Sequence, residues 1–286
     1  MFGFWRLFLA LTVAVSHMGF ALGPYHPGVM AVMGFYLLAG YISAALWQRA
    51  CRQADYPTWH YWKERFWRLM PQYWGVVLVT ALLLPWLPRN HFLQAPLDFS
   101  ALWQNLLVFP LAYYPLTGID HMTLIPPAWS LAVEFHYYLL VPLLGRLPLP
   151  VLRGVWAASL GIWLMSFTGL IDPELWGYRY FPGVLFIFLT GHTLCLSHLQ
   201  QRYFSYESLI LLAVLILMLT LYLPYNWGIG FQFEVVVGLL IALSLTILLG
   251  RLPRNPLDEW LGKPAYLLFL LHFLAFWLLQ AMLLIR

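Results

Sequence analysis

The chain has 286 residues, 62% hydrophobic and 18% aromatic but only 9% charged; soluble domains carry roughly a quarter charged residues, which excludes a soluble fold. The formal net charge of +4 comes from fifteen Lys and Arg spread over loop ends, a pattern that reads as membrane topology rather than a nucleic-acid surface. The expected fold is all-α, a polytopic membrane helical bundle forming one domain over 1–286.

An apolar run follows Arg6 without a small-x-small cleavage site, so an uncleaved first span is expected. Runs of about twenty apolar residues mark spanning helices. Nine are present, at 4–22, 27–48, 70–88, 129–147, 150–171, 179–197, 206–224, 229–250 and 261–285. The stretch 101–115 would make a tenth, but it is short and contains Pro110 and Pro115. Topology argues against that crossing. With nine spans and a cytoplasmic N-terminus, Arg6, Arg49, Arg52, Lys63, Arg65, Arg68, Arg146, Arg153, Arg202, Arg251, Arg254 and Lys263 share the cytoplasmic side, and only Arg89, Arg179 and Arg286 lie outside. The stretch 101–115 is therefore expected to be re-entrant or interfacial, tucked against protein. Cys51 and Cys195 fall near cytoplasmic ends, so no disulfide is expected.

Several residues need a reason to sit where they do. Arg6 and His17 are eleven residues apart, about 20° past three full turns, so they share a helix face roughly 16 Å apart along the axis. Arg6 reads equally as a snorkelling topology residue, and His17 as a hydrogen-bonded interior histidine. Small residues in the second span, around Gly34 and Gly40-Tyr41, permit close helix packing. Arg65 and Arg68, at i,i+3, put two forked cations on one face; phosphate recognition and lipid-headgroup clamping both fit them.

In Trp129-Ser130-Leu131-Ala132-Val133-Glu134 a carboxylate enters an apolar span, which is costly unless it faces a cavity or partner. Counting from the span ends puts Glu134 and His17 at one depth, so the two are expected to meet. Glu234 near the end of its span reads as structural. His272 sits near the middle of the last span, where packing and function are both open. No Gly-rich phosphate loop, nucleophile elbow or metal-ligand spacing is present, and no metal is expected.

Together these features resemble the acyltransferase family 3 proteins, membrane enzymes that O-acylate, most often O-acetylate, bacterial surface polysaccharides and other extracytoplasmic acceptors. The matching features are Arg6-x10-His17, the run ending in Gly40-Tyr41, Arg65-x-x-Arg68, Trp129-Ser130 through Glu134, and Tyr266 with Leu270-x-His272. The chain has Phe35-Tyr36 and Ala39 where the family has Phe-Phe and Ser, and nine spans where it has ten.

The resemblance implies acetyl-CoA or another acyl-CoA as co-substrate, a glycan or lipid-linked sugar as acceptor, and a bacterial inner membrane. It assigns Arg6, Arg65 and Arg68 to the CoA phosphates, and His17 to the general base with Glu134 as its orienter. His272, Trp129 and Ser130 become candidates for meeting the oxyanion, and Trp129, Ser130 and Tyr41 for contacting substrate. The competing classes are a small transporter or lipid-linked sugar flippase, which lacks the expected repeated halves here, and a non-catalytic sensor.

Overall fold

The computed structural model describes residues 2–222, 230–253 and 255–284. The expected all-helical architecture holds, with no strand among the described residues. The helices are α1 (Gly3–His17), α2 (Pro27–Gln53), α3 (Pro57–Leu83), α4 (Phe99–Leu107), α5 (Tyr114–Thr117), α6 (Ala128–Leu144), α7 (Leu149–Phe167), α8 (Phe181–Leu199), α9 (Tyr206–Leu217), α10 (Gln232–Leu249), α11 (Pro256–Leu261) and α12 (Ala265–Leu284). Arg254, Arg286, the ends of the expected spans 206–224 and 261–285 and the start of the expected span 229–250 lie outside the described residues.

Among the described residues, six helical segments are long and apolar enough to cross a membrane: Pro27–Gln53, Pro57–Trp86, Leu149–Phe167, Leu175–Leu199, Gln232–Leu249 and Pro256–Leu283. The other three expected spans are shorter apolar helices, so the full number of nine is not reached by length. α1 shows the reason. It stops at His17 because Met18 and Gly19 turn the chain, Gly19 at a φ of 96° that a side chain would strain. Phe4, Phe8, Leu11 and Val15 stay exposed while Trp5, Leu9, Ala10 and Val13 are buried, so α1 is apolar on its exposed side as well as its buried one, as suits a lipid-facing helix.

The 101–115 stretch is not a continuous helix. α4 ends at Val108, whose φ of 67° breaks the helical path, and a 3-10 turn, Phe109–Tyr113, follows with Pro110 inside it. The turn packs on α6 through Phe109 against Phe135 and through Tyr113 Oη, 3.0 Å from His136 Nε2. Buried Asn105 fixes the connection beyond it: its amide donates to Ala101 O and Met122 O, both at 2.9 Å, and its carbonyl accepts from Leu124 N at 2.9 Å.

α2 and α8 form the tight centre of the bundle. A Cβ at Gly40 would lie 2.0 Å from Phe188 O, and one at Gly191 would lie 2.1 Å from Leu37 O, so two glycines let the backbones touch. Glu234 accepts from His26 N at 3.0 Å where α2 begins, which gives this carboxylate the structural role expected of it.

Arg6, Arg65, Arg68 and Lys263 gather at one end of the bundle. Arg146 donates to Thr58 Oγ1 at 2.8 Å and covers the Trp47 ring. The Asp258 carboxylate accepts from Gly3 N at 2.8 Å and Phe4 N at 2.9 Å, so α11 holds the start of α1, where a negative charge meets the helix dipole favourably. Arg6 thus lies at this end and His17 at the other end of the same helix.

Candidate functional site

Two groups of cavities bracket α1. The first, about 390 Å³, lies at the Arg6 end and is walled by Arg6, Arg65, Arg68, Glu134, Tyr138 and Tyr266. Lys263 and Glu259 also border it, so four cations face two carboxylates. α3 sets this wall. Pro57 starts the helix, and Leu69, Tyr73, Val76 and Thr80 bury one stripe; Arg65 lies a turn before that stripe and is drawn inward with it. Its side chain is 6% exposed, and neither Nε nor Nη2 has a hydrogen-bond partner. Leaving a buried charged donor unsatisfied is costly, so the geometry suits an incoming anion. Arg68, at i,i+3, borders the same cavity from an exposed position.

Glu134 belongs to this cavity. Its Oε2 accepts from Tyr138 Oη at 2.5 Å, one turn along α6, and Arg65 sits 5.8 Å from the centre of the Tyr138 ring.

The second group lies where α1 ends. His17 borders two adjoining cavities, of about 260 Å³ and 200 Å³, both also walled by Trp129 and Arg179. His17 Nδ1 lies 3.0 Å from His272 Nε2, with the two rings nearly parallel at 5°. His272 Nδ1 lies 2.9 Å from Phe269 O. The carbonyl can only accept, so His272 donates from Nδ1 and, when neutral, offers Nε2 as an acceptor. His17 then donates from Nδ1, which leaves its Nε2 lone pair free. The backbone of α12 thereby selects the tautomer of a residue on α1.

The expected pairing of His17 with Glu134 does not form: His17 binds His272, and Glu134 binds Tyr138 in the other cavity. The depth count failed because α1 ends at His17 rather than five residues later, whereas Glu134 lies six residues into α6, about 9 Å from its start. His272 is correspondingly unsuited to donate to an oxyanion, since its Nε2 accepts from His17. Ser130 Oγ donates to Pro127 O at 3.0 Å, which commits its proton as well. Tyr41 is absent from the walls of all three cavities; its hydroxyl meets His198 Nδ1 at 2.9 Å and Gly250 O at 3.2 Å. It ties α2 to α8 and the end of α10.

Ser130 and Phe269 border both the Arg65 cavity and the smaller His17 cavity, so only a thin partition of side chains separates the two. Trp129 stands on the His17 side.

Arg179 is the functional candidate that sequence reasoning missed. It closes a π turn, Leu175–Arg179, with Tyr180 N bonded to Leu175 O at 2.7 Å; such turns recur at functional sites. The turn folds the guanidinium back among aromatic rings, 4.6 Å from Tyr178, 4.8 Å from Trp129 and 5.0 Å from Tyr114. Glu174 accepts from its Nη2 at 2.7 Å. In sequence Arg179 is one basic loop residue among others, and only its aromatic neighbours Tyr178 and Tyr180 hint at an enclosure. Burial outweighs the Arg179 charge and pushes the Tyr114 phenol up to about 12, so Tyr114 remains a neutral hydroxyl in this cavity.

The sequence matches the family described as "Acyltransferase domain", of the type 3 acyltransferases, over residues 3–286. It is 31% identical over 160 residues to an uncharacterized protein of Aquifex aeolicus (strain VF5), covering 54% of this chain and 72% of that protein. It is also 30% identical over 138 residues to the acyltransferase MdmB of Streptomyces mycarofaciens, covering 46% of this chain and 33% of MdmB. The match thus takes in one third of the length of MdmB. No solved structure matches.

Proposed function

Since the chain belongs to the type 3 acyltransferase family, we propose that this membrane acyltransferase moves an acyl group, acetyl by preference, from acyl-CoA to a hydroxyl of a glycan or lipid-linked sugar. The observation that carries the reading is the division of labour along α1: an unsatisfied buried guanidinium at one end, and an imidazole with a free Nε2 at the other.

Arg65, with Arg6 and Arg68, holds the CoA phosphates; forked guanidiniums match phosphate oxygens in charge and geometry. This end is cytoplasmic, because Arg6, Arg65, Arg68 and Lys263 collect there, as the positive-inside bias requires, and CoA is a cytoplasmic compound. The membrane is a bacterial inner membrane. The neutral pantetheine arm passes between Ser130 and Phe269 and brings the thioester to the His17 cavity. There the acceptor hydroxyl attacks the thioester carbonyl while His17 Nε2 takes its proton. His272 steadies the base, the positioning role in a nucleophile–base–orienter set. Arg179 faces the developing oxyanion. As the tetrahedral intermediate collapses, the C–S bond breaks and the His17 imidazolium returns its proton to the leaving CoA thiolate. Glu134 stays on the donor side, where it and Tyr138 shape the wall beside Arg65.

The test is transfer of the labelled acetyl group from radiolabelled acetyl-CoA to hydroxyls of bacterial lipid-linked glycans by purified protein. The expected result is acceptor-dependent incorporation that His17→Ala abolishes. Incorporation by the variant at the wild-type rate would overturn the base assignment, and no incorporation by the wild type with either acetyl- or longer-chain acyl-CoA would overturn the donor.

A further inference from the structure

Across the cavity from His17, three side chains that the transfer chemistry does not use converge on one point. His91 and Asp120 border the larger His17 cavity, and His121 stands beside them. His91 Nε2 lies 3.3 Å from Asp120 Oδ2, and His121 Nε2 lies 3.9 Å from Asp120 Oδ1. One ligand atom from each residue falls within 4.8 Å of the other two. In a tetrahedral zinc site with bonds of about 2.0–2.1 Å, neighbouring ligand atoms stand about 3.3 Å apart. One edge of the triangle already has that length, and small rotations of half-exposed side chains close the others.

The backbone holds the three together before any ligand arrives. Residues 92–95 pair with 121–123 through Thr123 N to Phe92 O at 2.9 Å and through Gln94 N and Ala95 N to His121 O, both at 3.0 Å. Leu93 and Met122 form an isolated bridge between the two arms of the loop. Gly118, at a φ of 68°, turns the chain into the 3-10 turn Ile119–His121 that carries the other two ligands. Thirty residues separate His91 from His121, so the sequence has no metal spacing; the loop pairing creates the set.

The His91 and His121 ring centres are 5.2 Å apart, so their nitrogens and the Asp120 carboxylate face a common space that one dication can fill. Two imidazole nitrogens and one carboxylate suit zinc, and three protein ligands leave a fourth position open. We propose that His91, Asp120 and His121 bind one divalent transition-metal ion, zinc by their chemistry, at the rim of the His17 cavity, with the open position available to water or a hydroxyl-bearing ligand. The ion would also pin the 87–97 segment to the 119–123 segment and so set the width of the cavity mouth.

The experiment is isothermal titration of zinc chloride into tag-free, chelator-stripped full-length protein in detergent, with the visible absorption of a cobalt(II) complex as a second readout. One equivalent of zinc per chain is expected. His91→Ala and His121→Ala are each expected to weaken it by at least about tenfold, since even outer-shell changes at metal sites cost 10- to 100-fold. Asp120→Asn, which keeps the loop's shape, should weaken it likewise, while His60→Ala, at an exposed histidine on α3, should change nothing. Equal thermal melting of the metal-free variants shows that they fold. Absence of stoichiometric binding, retention of binding in the His91→Ala, His121→Ala double variant, or loss on His272→Ala with retention on His91→Ala would each overturn the proposal. None of these readouts depends on acyl transfer, so the site stands or falls apart from the function proposed above.

Discussion

The two ends of α1 present opposite solutions to placing polar groups in an apolar protein. At the Arg6 end, charges are concentrated and incompletely satisfied: Arg65 is buried with two guanidinium nitrogens unpaired, and Arg6 and Arg68 face the same space. At the His17 end, polar groups are relayed to completion, from His17 to His272 to the Phe269 carbonyl, and Arg179 is enclosed by aromatic rings. A binding site gains from waiting unsatisfied, because the ligand supplies the missing partners. A proton-transfer site gains from a fixed tautomer, because a ring nitrogen with a second role cannot be relied on as a base.

Substitutions at the two ends are expected to separate into loss of turnover and loss of donor affinity. The largest effect is expected for His17→Ala, which should lower kcat by about 10²–10⁴-fold, the range of a lost general base, with the KM for acetyl-CoA little changed in steady-state assays. Arg65→Ala should raise the KM for acetyl-CoA by about 10- to 100-fold, the loss of charge-assisted hydrogen bonds worth about 1.5–3 kcal/mol. Its kcat at saturating donor should stay near wild type, and a kcat loss as large as that of His17→Ala would erase the contrast.

His272→Ala should lower kcat by roughly tenfold or more through the lost tautomer control, an effect of the size seen when a supporting hydrogen bond is removed. His272→Gln should restore part of it, since a carbonyl oxygen can accept from His17 Nδ1. The pH–rate profile gives the check: a purely structural role would leave its shape alone, whereas the positioning role predicts an altered profile in His272→Ala. The smallest effect is expected for Glu134→Gln, about threefold on the KM for acetyl-CoA, the size of a single weakened hydrogen bond. A kcat collapse there would restore Glu134 as the orienter of His17.

Much of this arrangement was legible in the chain, and the failures share a cause. Apolar runs located the helices, and the i,i+3 and i,i+11 spacings put Arg65 with Arg68 and Arg6 with His17 on common faces. Pro110 and Pro115 correctly marked 101–115 as broken, although Val108 contributes the break itself. Hydropathy reports position along the membrane normal, and only while helix ends are known. It says nothing of the direction in which a residue faces around the bundle, so Glu134 could be given a depth but not a cavity, and Tyr41 a span but not its partner His198. The end of α1 at His17 depended on the Met18-Gly19 turn, which an uninterrupted apolar run conceals. Arg179 was out of reach because a π turn, set by packing rather than by composition, carries it into the site.

The division between donor binding and proton transfer is tested most directly by titrating acetyl-CoA into purified wild-type protein, His17→Ala and Arg65→Ala and reading the Kd by calorimetry. His17→Ala is expected to bind acetyl-CoA as the wild type does, and Arg65→Ala to bind it about 10- to 100-fold more weakly. Weakened binding in His17→Ala together with unchanged binding in Arg65→Ala would contradict that division.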